Sequence, residues 1–265
     1  MTGDIGYPPL NWHAVAACRA FARIGRLLVY RADVESTNAL AASLLPGAEI
    51  GTVVVTDHQT AGRGRLSRQW IAPAGSSLTF TVVLGPMEPS WLAPMAVGLA
   101  LVEAIEAFGI EATLKWPNDV LIDGYKCAGI LIESKRVGAA LWLLAGIGLN
   151  VRRVDPSLSQ ATWLDAHARE PLSREDLLTL ILARLEFWIE SGVVNPTQIR
   201  DDWKARLLTL GRIVEVHTAG DTLRGVAKDV GPEGTLLVKL DDGTEREVRA
   251  GDVTLASSYP GSPAS

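Results

Sequence analysis

Cysteine is scarce in this chain of 265 residues, because Cys18 and Cys127 are its only two and lie far apart in the sequence. They form no Cys-x-x-Cys pair, and the four histidines share no spacing that is typical of metal ligands. The cysteine pattern therefore excludes the common structural zinc motifs and indicates a reducing compartment.

The chain also lacks an excess of basic residues, since its formal net charge is −5 and neither end carries a basic tail. Such a balance argues against a general nucleic-acid binder, which usually presents a basic face. The N-terminus lacks the basic and apolar segments of a signal peptide, and no apolar run approaches the length of a membrane span. We therefore expect a soluble, cytoplasmic protein that binds neither nucleic acid nor a membrane.

Apolar residues make up 48% of the chain, which is enough for one large domain and a second, small one. From Gly211 onward the pattern changes to five short strands separated by glycine-containing turns, an outline typical of a small SH3-like β-barrel. We predict four segments: an N-terminal extension (1–26) with room for one helix, a central domain (27–208), a C-terminal domain (209–257) and a disordered Ser/Pro tail (258–265).

Local patterns predict the elements of the first two segments. Residues 1–11 contain proline and glycine and read as loose chain, whereas residues 12–24 have apolar positions at helical spacing. Strands are predicted at 27–30, 52–56, 77–84, 113–116, 120–122, 126–133 and 139–149, and helices at 39–45, 89–108, 177–189 and 196–208. Cys127 reads as a small buried apolar residue.

A loop rich in glycine and arginine, Gly62-Arg63-Gly64-Arg65, follows the strand at 52–56 and ends near Trp70. Glycine lets the backbone approach a ligand closely, and arginine supplies a planar donor fork for carboxylate or phosphate. A solvated surface loop is the alternative interpretation, because both residues are common there. The functional interpretation predicts a loop that is mobile when empty and becomes ordered around an anion.

Two further stretches supply polar groups of the same kind. Ser36 or Thr37 is placed to cap the helix at 39–45, and free N–H groups at such a terminus attract anions, although a plain cap is the simpler reading. Lys115 and Lys126 stand at the entry and exit of an apolar hairpin that turns at Asp123-Gly124. The alternative is that both lysines point to solvent at strand ends, which is common for one lysine but less expected for both.

Four cations with one carboxylate, Asp119, and several amide and hydroxyl groups favour chemistry in which two anions must meet. No Ser/His/Asp or Cys/His set and no paired carboxylates indicate a covalent nucleophile or glycoside hydrolysis. A carboxylate that attacks an α-phosphate, with pyrophosphate leaving, fits the cations, because such catalysis is mostly positioning and charge stabilisation. The acyl-adenylate product is easily hydrolysed, so a closing loop would protect it.

Five segments in this order closely resemble the biotin–protein ligases: Ser36-Thr37-Asn38, Gln59 to Arg65 with Trp70, Lys115-Trp-Pro-Asn-Asp119, Lys126 to Ile130, and Gly146 to Asn150. The resemblance covers residues 30–208, and the small C-terminal β domain also matches the family outline. It implies an α+β fold, with a class II synthetase-like central domain of mixed sheet and helices. It also implies ATP-dependent, Mg²⁺-dependent adenylation of biotin, then transfer to a lysine of a biotin carboxyl carrier protein domain.

The resemblance implies roles for individual residues. Arg63, Arg65, Lys115 and Lys126 become the catalytic cations, and Asp119 becomes a candidate Mg²⁺ ligand. The implied biotin site is Ser36, Thr37, Asn38, Gln59, Arg63, Gly64, Arg65, Lys126 and Gly129. The implied ATP site is Arg63, Trp70, Lys115, Asn118, Asn150 and Trp163, with Val154 and Leu158 beside Trp163 in a loop that closes over the adenine.

Two alternatives stay open beside this interpretation: a lipoate or octanoate ligase of the same fold, and a non-catalytic regulator that only binds biotin. The paired Gly62–Arg65 and Lys115–Asp119 motifs argue against the first, and the full set of cations argues against the second. About 26 residues precede the first strand, too few for the three-helix DNA-binding unit that many family members carry. We therefore expect ligase activity without operator binding, by a monomer or a homodimer.

Overall fold

The structure, a computed structural model, describes residues 7–18, 23–45, 47–153, 157–218 and 220–255. Its helices are α1 (Trp12–Ala16), α2 (Thr37–Leu44), α3 (Leu92–Glu106), α4 (Arg174–Val194) and α5 (Pro196–Ala205). The first seven strands are β1 (Leu28–Val34), β2 (Val53–Gln59), β3 (Ser77–Pro86), β4 (Thr113–Lys115), β5 (Asp119–Ile122), β6 (Tyr125–Val137) and β7 (Ala140–Asn150). The last five are β8 (Ile213–His217), β9 (Thr222–Val230), β10 (Leu236–Leu240), β11 (Glu245–Val248) and β12 (Asp252–Leu255).

The larger sheet is mixed, with the strand order β1-β2-β3-β7-β6-β5-β4. Its first two strands run parallel because α2 crosses between them, and the remaining neighbours are antiparallel. The other sheet contains β8 to β12 in the antiparallel order β11-β10-β9-β8-β12. The predicted α+β class, with a mixed central sheet flanked by helices and a C-terminal β unit, is confirmed.

The central sheet is covered on both faces. Helix α3 is apolar around most of its circumference, as expected for a helix that packs against α4, α5 and the sheet at once. Helix α2 covers the opposite face, where Ala41 packs with Val54, Val83 and Leu144 in a small apolar cluster. One layer therefore supplies the main core, and the thinner α2 layer leaves the cleft side of the sheet accessible.

Several predicted boundaries change in the structure. Strands β1 and β2 extend to Val34 and Gln59, because their polar ends continue the parallel pairing that their apolar halves begin. Both cysteines are free, and Cys127 is buried as predicted, where burial raises the pKa of its thiol to about 12. No helix in the described part of the chain combines the length and apolar character that a membrane span needs.

The N-terminal region differs most from the prediction. The helix expected over 12–24 ends at Ala16, and its last turn tightens when the Cys18 amide donates to the Val15 carbonyl; residues 19–22 lie outside the described part. Residues 7–11 are not loose, because the Leu10 amide donates to the Asp57 carboxylate and Asn11 caps α1. Partners 47 residues away cannot be read from a local pattern. The predicted tail at 258–265 lies outside the described residues.

Candidate active site

A cleft of about 820 Å³, including its open mouth, lies where the N-terminus of α2, the end of β2, the Gly/Arg loop and strands β5 to β7 meet. The structure brings twelve of the predicted site residues to its walls: Ser36, Thr37, Asn38, Gln59, Arg63, Gly64, Arg65, Trp70, Asn118, Asp119, Lys126 and Gly129.

The first wall is the N-terminus of α2, where three consecutive polar side chains are buried. Ser36 is the N-cap, as predicted, and its hydroxyl accepts from the Ala39 amide at 3.5 Å. The Thr37 amide donates to Gln59 Oε1 at 2.8 Å, so the end of β2 satisfies one of the helix's unpaired N–H groups. Asn38 accepts from the Thr81 hydroxyl at 2.6 Å, which fixes the amide orientation.

The second wall is the Gly/Arg loop between β2 and β3, and each of its three arginines has a polar partner. Arg63 donates to Glu133 Oε2 at 3.0 Å, and Arg65 donates to Asn118 Oδ1 at 3.1 Å. Arg68 pairs with Asp252 on β12. The loop therefore contacts β6, the β4–β5 turn and the second sheet. Its predicted mobility in the empty protein stays a prediction.

The third wall carries the ion pair between Lys126 Nζ and Asp119 Oδ1 at 2.6 Å, which joins neighbouring strands β6 and β5. Burial lowers the pKa of Arg65, and the charges of Asp119 and Asp252 oppose that shift. Burial raises the pKa of Asp252, but Arg68, Lys115 and Lys126 outweigh it and hold that pKa below its usual value. The walls therefore pair cations with carboxylates that an incoming anion can replace.

The floor of the cleft is bare backbone, because Gly129 of β6 pairs in register with Gly148 of β7. The Trp70 indole lies on this floor: a Cβ added at Gly148 would approach its ring to 2.3 Å, and one added at Gly129 would approach it to 3.4 Å. Gly146 faces Asn38 in the same way, at 2.5 Å. The predicted close approach at Gly129 is thus used by Trp70 and by the Lys126 side chain.

Three predicted ATP-site residues do not line the cleft. Lys115 ends β4 in register with Asp119, so it belongs to a β4–β5 hairpin rather than to the one that holds Lys126. The side chain of Asn150 is engaged by the Ser77 hydroxyl and the Thr162 carbonyl, at 3.4 and 3.1 Å. Trp163 precedes a short 3₁₀ turn, Leu164–Ala166, outside the cleft wall.

The rest of the predicted adenine loop lies only partly within the described residues. Leu158 lies in a turn whose carbonyl accepts from the Ala161 amide, and Val154 lies outside the described residues. Because Asn150 holds the connector through the Thr162 carbonyl, its structural role is to anchor this segment to β7. The assignment of these residues to ATP stays a prediction.

Sequence reasoning missed three charged residues at the cleft. Glu133 accepts from both Arg63 and Asn38, the latter at 2.7 Å, and so joins the loop to the α2 terminus. Arg68 lies within the loop and could have been singled out by its charge. Asp252 gives no local signal, because it reaches the cleft from a sheet formed nearly 200 residues later in the chain.

Among the described residues, no group of three or more histidine, cysteine, aspartate or glutamate side chains is placed to hold a metal ion. Asp119 alone fits a different kind of metal site, since Mg²⁺ keeps several waters and takes one or two carboxylates together with substrate phosphates. The cations of the cleft can offset the repulsion between a carboxylate and a phosphate, as a reaction between these two anions requires.

Comparisons with known proteins give the same picture. The family model described as "Biotin/lipoate A/B protein ligase family" matches residues 28–150, and that of the "Biotin protein ligase C terminal domain" matches residues 209–255. The biotin–[acetyl-CoA-carboxylase] ligase of Mycobacterium tuberculosis is 37% identical over 238 residues, covering 84% of this chain and 86% of that protein. The bifunctional ligase/repressor BirA of Bacillus subtilis is 33% identical over 247 residues, covering 88% and 75% respectively.

A solved structure agrees with these sequence matches. The biotin protein ligase of Aquifex aeolicus in complex with biotin and ATP superposes with a TM-score of 0.76 at 27% identity, over 88% of this chain and 100% of that one. The family models, the two relatives and this structure agree with the resemblance that the motifs carry. The chain belongs to the biotin/lipoate A/B protein ligase family, and within that family it is a biotin protein ligase.

Proposed function

We propose that this chain activates biotin with ATP as biotinyl-5′-AMP, releases pyrophosphate, and then transfers the biotinyl group to a lysine of a biotin carboxyl carrier protein domain. The observation that carries the proposal is the set of cations around one cleft, each paired with a carboxylate or amide that a substrate anion can displace. The Aquifex structure with biotin and ATP supports the choice of substrates.

The biotin end of the cleft would be the α2 terminus with Gln59, Arg63, Gly64 and Gly129. Buried hydroxyl and amide groups suit a polar bicyclic ring, and the neighbouring arginine suits its carboxylate. Arg65 and Lys126 would then contact the developing mixed anhydride, where their charges offset the repulsion between carboxylate and phosphate.

The ATP end would be formed by Trp70, Asn118 and Asp119, with Lys115 close enough to influence the charge of Asp252. Asp119 would hold Mg²⁺ together with the nucleotide phosphates, and the ion would neutralise charge on the leaving pyrophosphate. Asn150 and Trp163 would contribute to adenine binding only if the connector moves toward the cleft, since neither lines it here.

In the second half-reaction the acceptor lysine would attack the acyl carbon, and AMP would leave with the electron pair of the acyl–phosphate bond. The division into an extension (1–26), a catalytic domain (27–208) and a C-terminal domain (209–257) belongs to this proposal, as do cytoplasmic location and a monomer or homodimer. The proposal includes no operator binding, because a net charge of −5 gives little attraction for the DNA backbone, and retention of an operator-length duplex near physiological salt would contradict that part.

The test measures the exchange of labelled pyrophosphate into ATP in the presence of biotin, lipoate or octanoate, each at the same concentration. We expect exchange with biotin but not with lipoate or octanoate. The assay needs no acceptor protein, because exchange requires only the reversible formation of the adenylate. Absence of exchange with biotin would overturn the proposal, and exchange with lipoate or octanoate instead would favour the related ligase class.

A further inference from the structure

The N-terminal strap, defined here as residues 7–11, lies across the base of the Gly/Arg loop. That base is closed by the Gly75 amide, which donates to the Asp57 carbonyl at 2.9 Å and so joins the two ends of the loop. The strap contacts both ends, Asp57 through its carboxylate and Gly75 through its backbone. The strap therefore packs on the base of the loop, named here the hinge, and lies outside the lining of the cleft.

The Asp57 carboxylate is the centre of a buried polar network. It accepts from the Leu10 amide at 3.1 and 3.2 Å, from the Tyr30 hydroxyl at 2.6 Å and from Arg174 at 2.8 Å. Arg174, which is only 3% exposed, also donates to the Pro8 carbonyl at 2.7 Å. Burial and the hydrogen bond to Asp57 raise the pKa of Tyr30 to about 12, so the Tyr30 hydroxyl keeps its proton and donates it to this hydrogen bond at neutral pH.

Tyr7 connects the same hinge to a second segment beside the cleft. Gly75 has a positive φ of 70°, and a Cβ there would lie 2.9 Å from the Cβ of Tyr7, so the strap packs directly on the rejoining end of the loop. The Arg152 guanidinium lies 5.1 Å from the centre of the Tyr7 ring. Arg152 begins the connector that leads from β7 to Trp163, and its amide donates to the Ser76 carbonyl.

We propose that the N-terminal strap is a positioning element of the ligase. Its backbone packs on Gly75, and the Tyr7 ring holds Arg152, whose amide donates to the Ser76 carbonyl at the rejoining end of the Gly/Arg loop. Loss of the ring would therefore loosen both this end of the loop and the start of the connector. The proposal rests on the proposed function, because it concerns the retention of the biotinyl-adenylate. A loop with a fixed hinge closes the cleft more completely than one whose base can shift. Tyr7 does not line the cleft, so it would act through the loop.

The experiment compares Tyr7→Ala, Tyr7→Phe, Arg152→Gln and the Tyr7→Ala/Arg152→Gln double variant with wild type. Adenylate is formed from labelled biotin and ATP, and its loss to solvent is followed after a chase with unlabelled biotin. We expect Tyr7→Ala and Arg152→Gln each to release adenylate about fivefold faster, as the loss of a cation–π contact would give. The double variant should be no faster than either single variant, because both remove one interaction.

Two controls separate positioning from general destabilisation. Tyr7→Phe keeps the ring over Arg152 and should retain adenylate at the wild-type rate. Ile199→Val removes one buried methyl group on α5, outside the lining of the cleft, and should lower the melting temperature by a few degrees without changing release. Wild-type release from Tyr7→Ala, or faster release from Ile199→Val to the same extent, would overturn the proposal.

A second readout needs no activity. Amide hydrogen exchange over residues 60–74 of the ligand-free chain should be faster in Tyr7→Ala than in wild type or Tyr7→Phe. If wild type forms no adenylate from biotin, the proposed function fails, and the exchange measurement still decides whether the strap fixes the loop. Equal exchange in all three proteins would contradict the strap's role.

Discussion

At the residue scale, Arg65 is the side chain through which we propose that the Gly/Arg loop holds the adenylate. It is half-buried at the cleft wall, and burial lowers its pKa, so its charge is poorly solvated and gains much from an anionic partner. Its present partner is the neutral Asn118 amide at 3.1 Å. An adenylate phosphate would be a stronger partner than that amide, because a charge-assisted hydrogen bond is about twice as strong as a neutral one.

We predict that Arg65→Gly raises the rate of adenylate loss to solvent more than it slows adenylate formation. The expected increase in release is roughly tenfold, the factor that one charge-assisted hydrogen bond provides. Single-turnover formation and chase experiments measure the two rates separately. Arg26→Gly, which removes the same charge from an exposed position outside the cleft, serves as the control. Release at the wild-type rate from Arg65→Gly would show that the loop is not a lid.

Residue types at the cleft could be predicted from the sequence, but their pairing could not. Glycine-arginine and lysine motifs are local signals that indicate an anion site. The residues they single out line the cleft, namely Arg63, Arg65, Asn118 and Lys126. Glu133 was missed because a carboxylate at the end of an apolar strand is common, and its contact with Arg63 spans 70 residues. Only the β-sheet brings these positions together.

At the element scale, the β6–β7 pair shapes the cleft through two positions that carry no side chain. Gly129 and Gly148 lie opposite each other in register, and the indole of Trp70 rests on the resulting flat backbone. Side chains on one face of a sheet alternate, so an added methyl group at either position would point at the ring. The floor and the loop are therefore fitted to each other through one tryptophan.

We predict that Gly148→Ala displaces Trp70 and lowers kcat/KM for biotin and for ATP. Most of this decrease should come from a higher KM rather than from a lower kcat. The reason is spatial, since the new Cβ would stand 2.3 Å from the indole, which must therefore move. Steady-state kinetics and tryptophan fluorescence measure the two effects. Gly47→Ala is the matched control, because its Cβ would meet only the Leu44 carbonyl oxygen at 3.7 Å. Unchanged kinetics in Gly148→Ala would mean that Trp70 does not set the cleft's shape.

Elements with strong periodicity were predictable, and elements fixed by distant partners were not. The five short strands of the second sheet and the capped helix α4 follow from alternation, turn residues and the Ser173 cap. The helix expected over 12–24 ends at Ala16, and residues 7–11, expected to be loose, are held by Asp57 and Glu175, which lie far away in the sequence. Apolar spacing alone cannot reveal such long-range hydrogen bonds.

At the scale of the whole molecule, the two sheets meet at the cleft and not only behind it. The Trp116 indole donates to the Gly234 carbonyl at 2.9 Å, and the Trp116 amide donates to the Thr209 hydroxyl at 2.9 Å. Asp252 adds a contact of a different kind, because it pairs with Arg68 of the loop and lines the cleft. The C-terminal domain thus contacts the loop at Arg68, whereas the N-terminal strap contacts its two ends at Asp57 and Gly75.

The Arg68–Asp252 pair makes a prediction about pH. Arg68, with Lys115 and Lys126, holds the pKa of Asp252 below its usual value of 3.8 despite burial. A carboxyl group with a depressed pKa in the folded state stabilises the protein above the unfolded-state pKa, and that contribution is lost as the pH falls through the folded-state value. Asp252→Asn should therefore lower the melting temperature at pH 7, and the difference from wild type should shrink as the pH falls from about 5 toward 3.

The same variant separates the two roles of Asp252 within the cleft. Because the carboxylate neutralises Arg68 and repels phosphate, Asp252→Asn should lower the KM for ATP severalfold, while the less firmly held loop releases adenylate faster. Asp241→Asn in the same domain, where the carboxylate is exposed and 4.0 Å from Arg224, should change neither quantity. An unchanged KM for ATP together with a pH-independent difference in melting temperature would mean that Asp252 contributes packing alone, and that the C-terminal domain does not regulate the loop through charge.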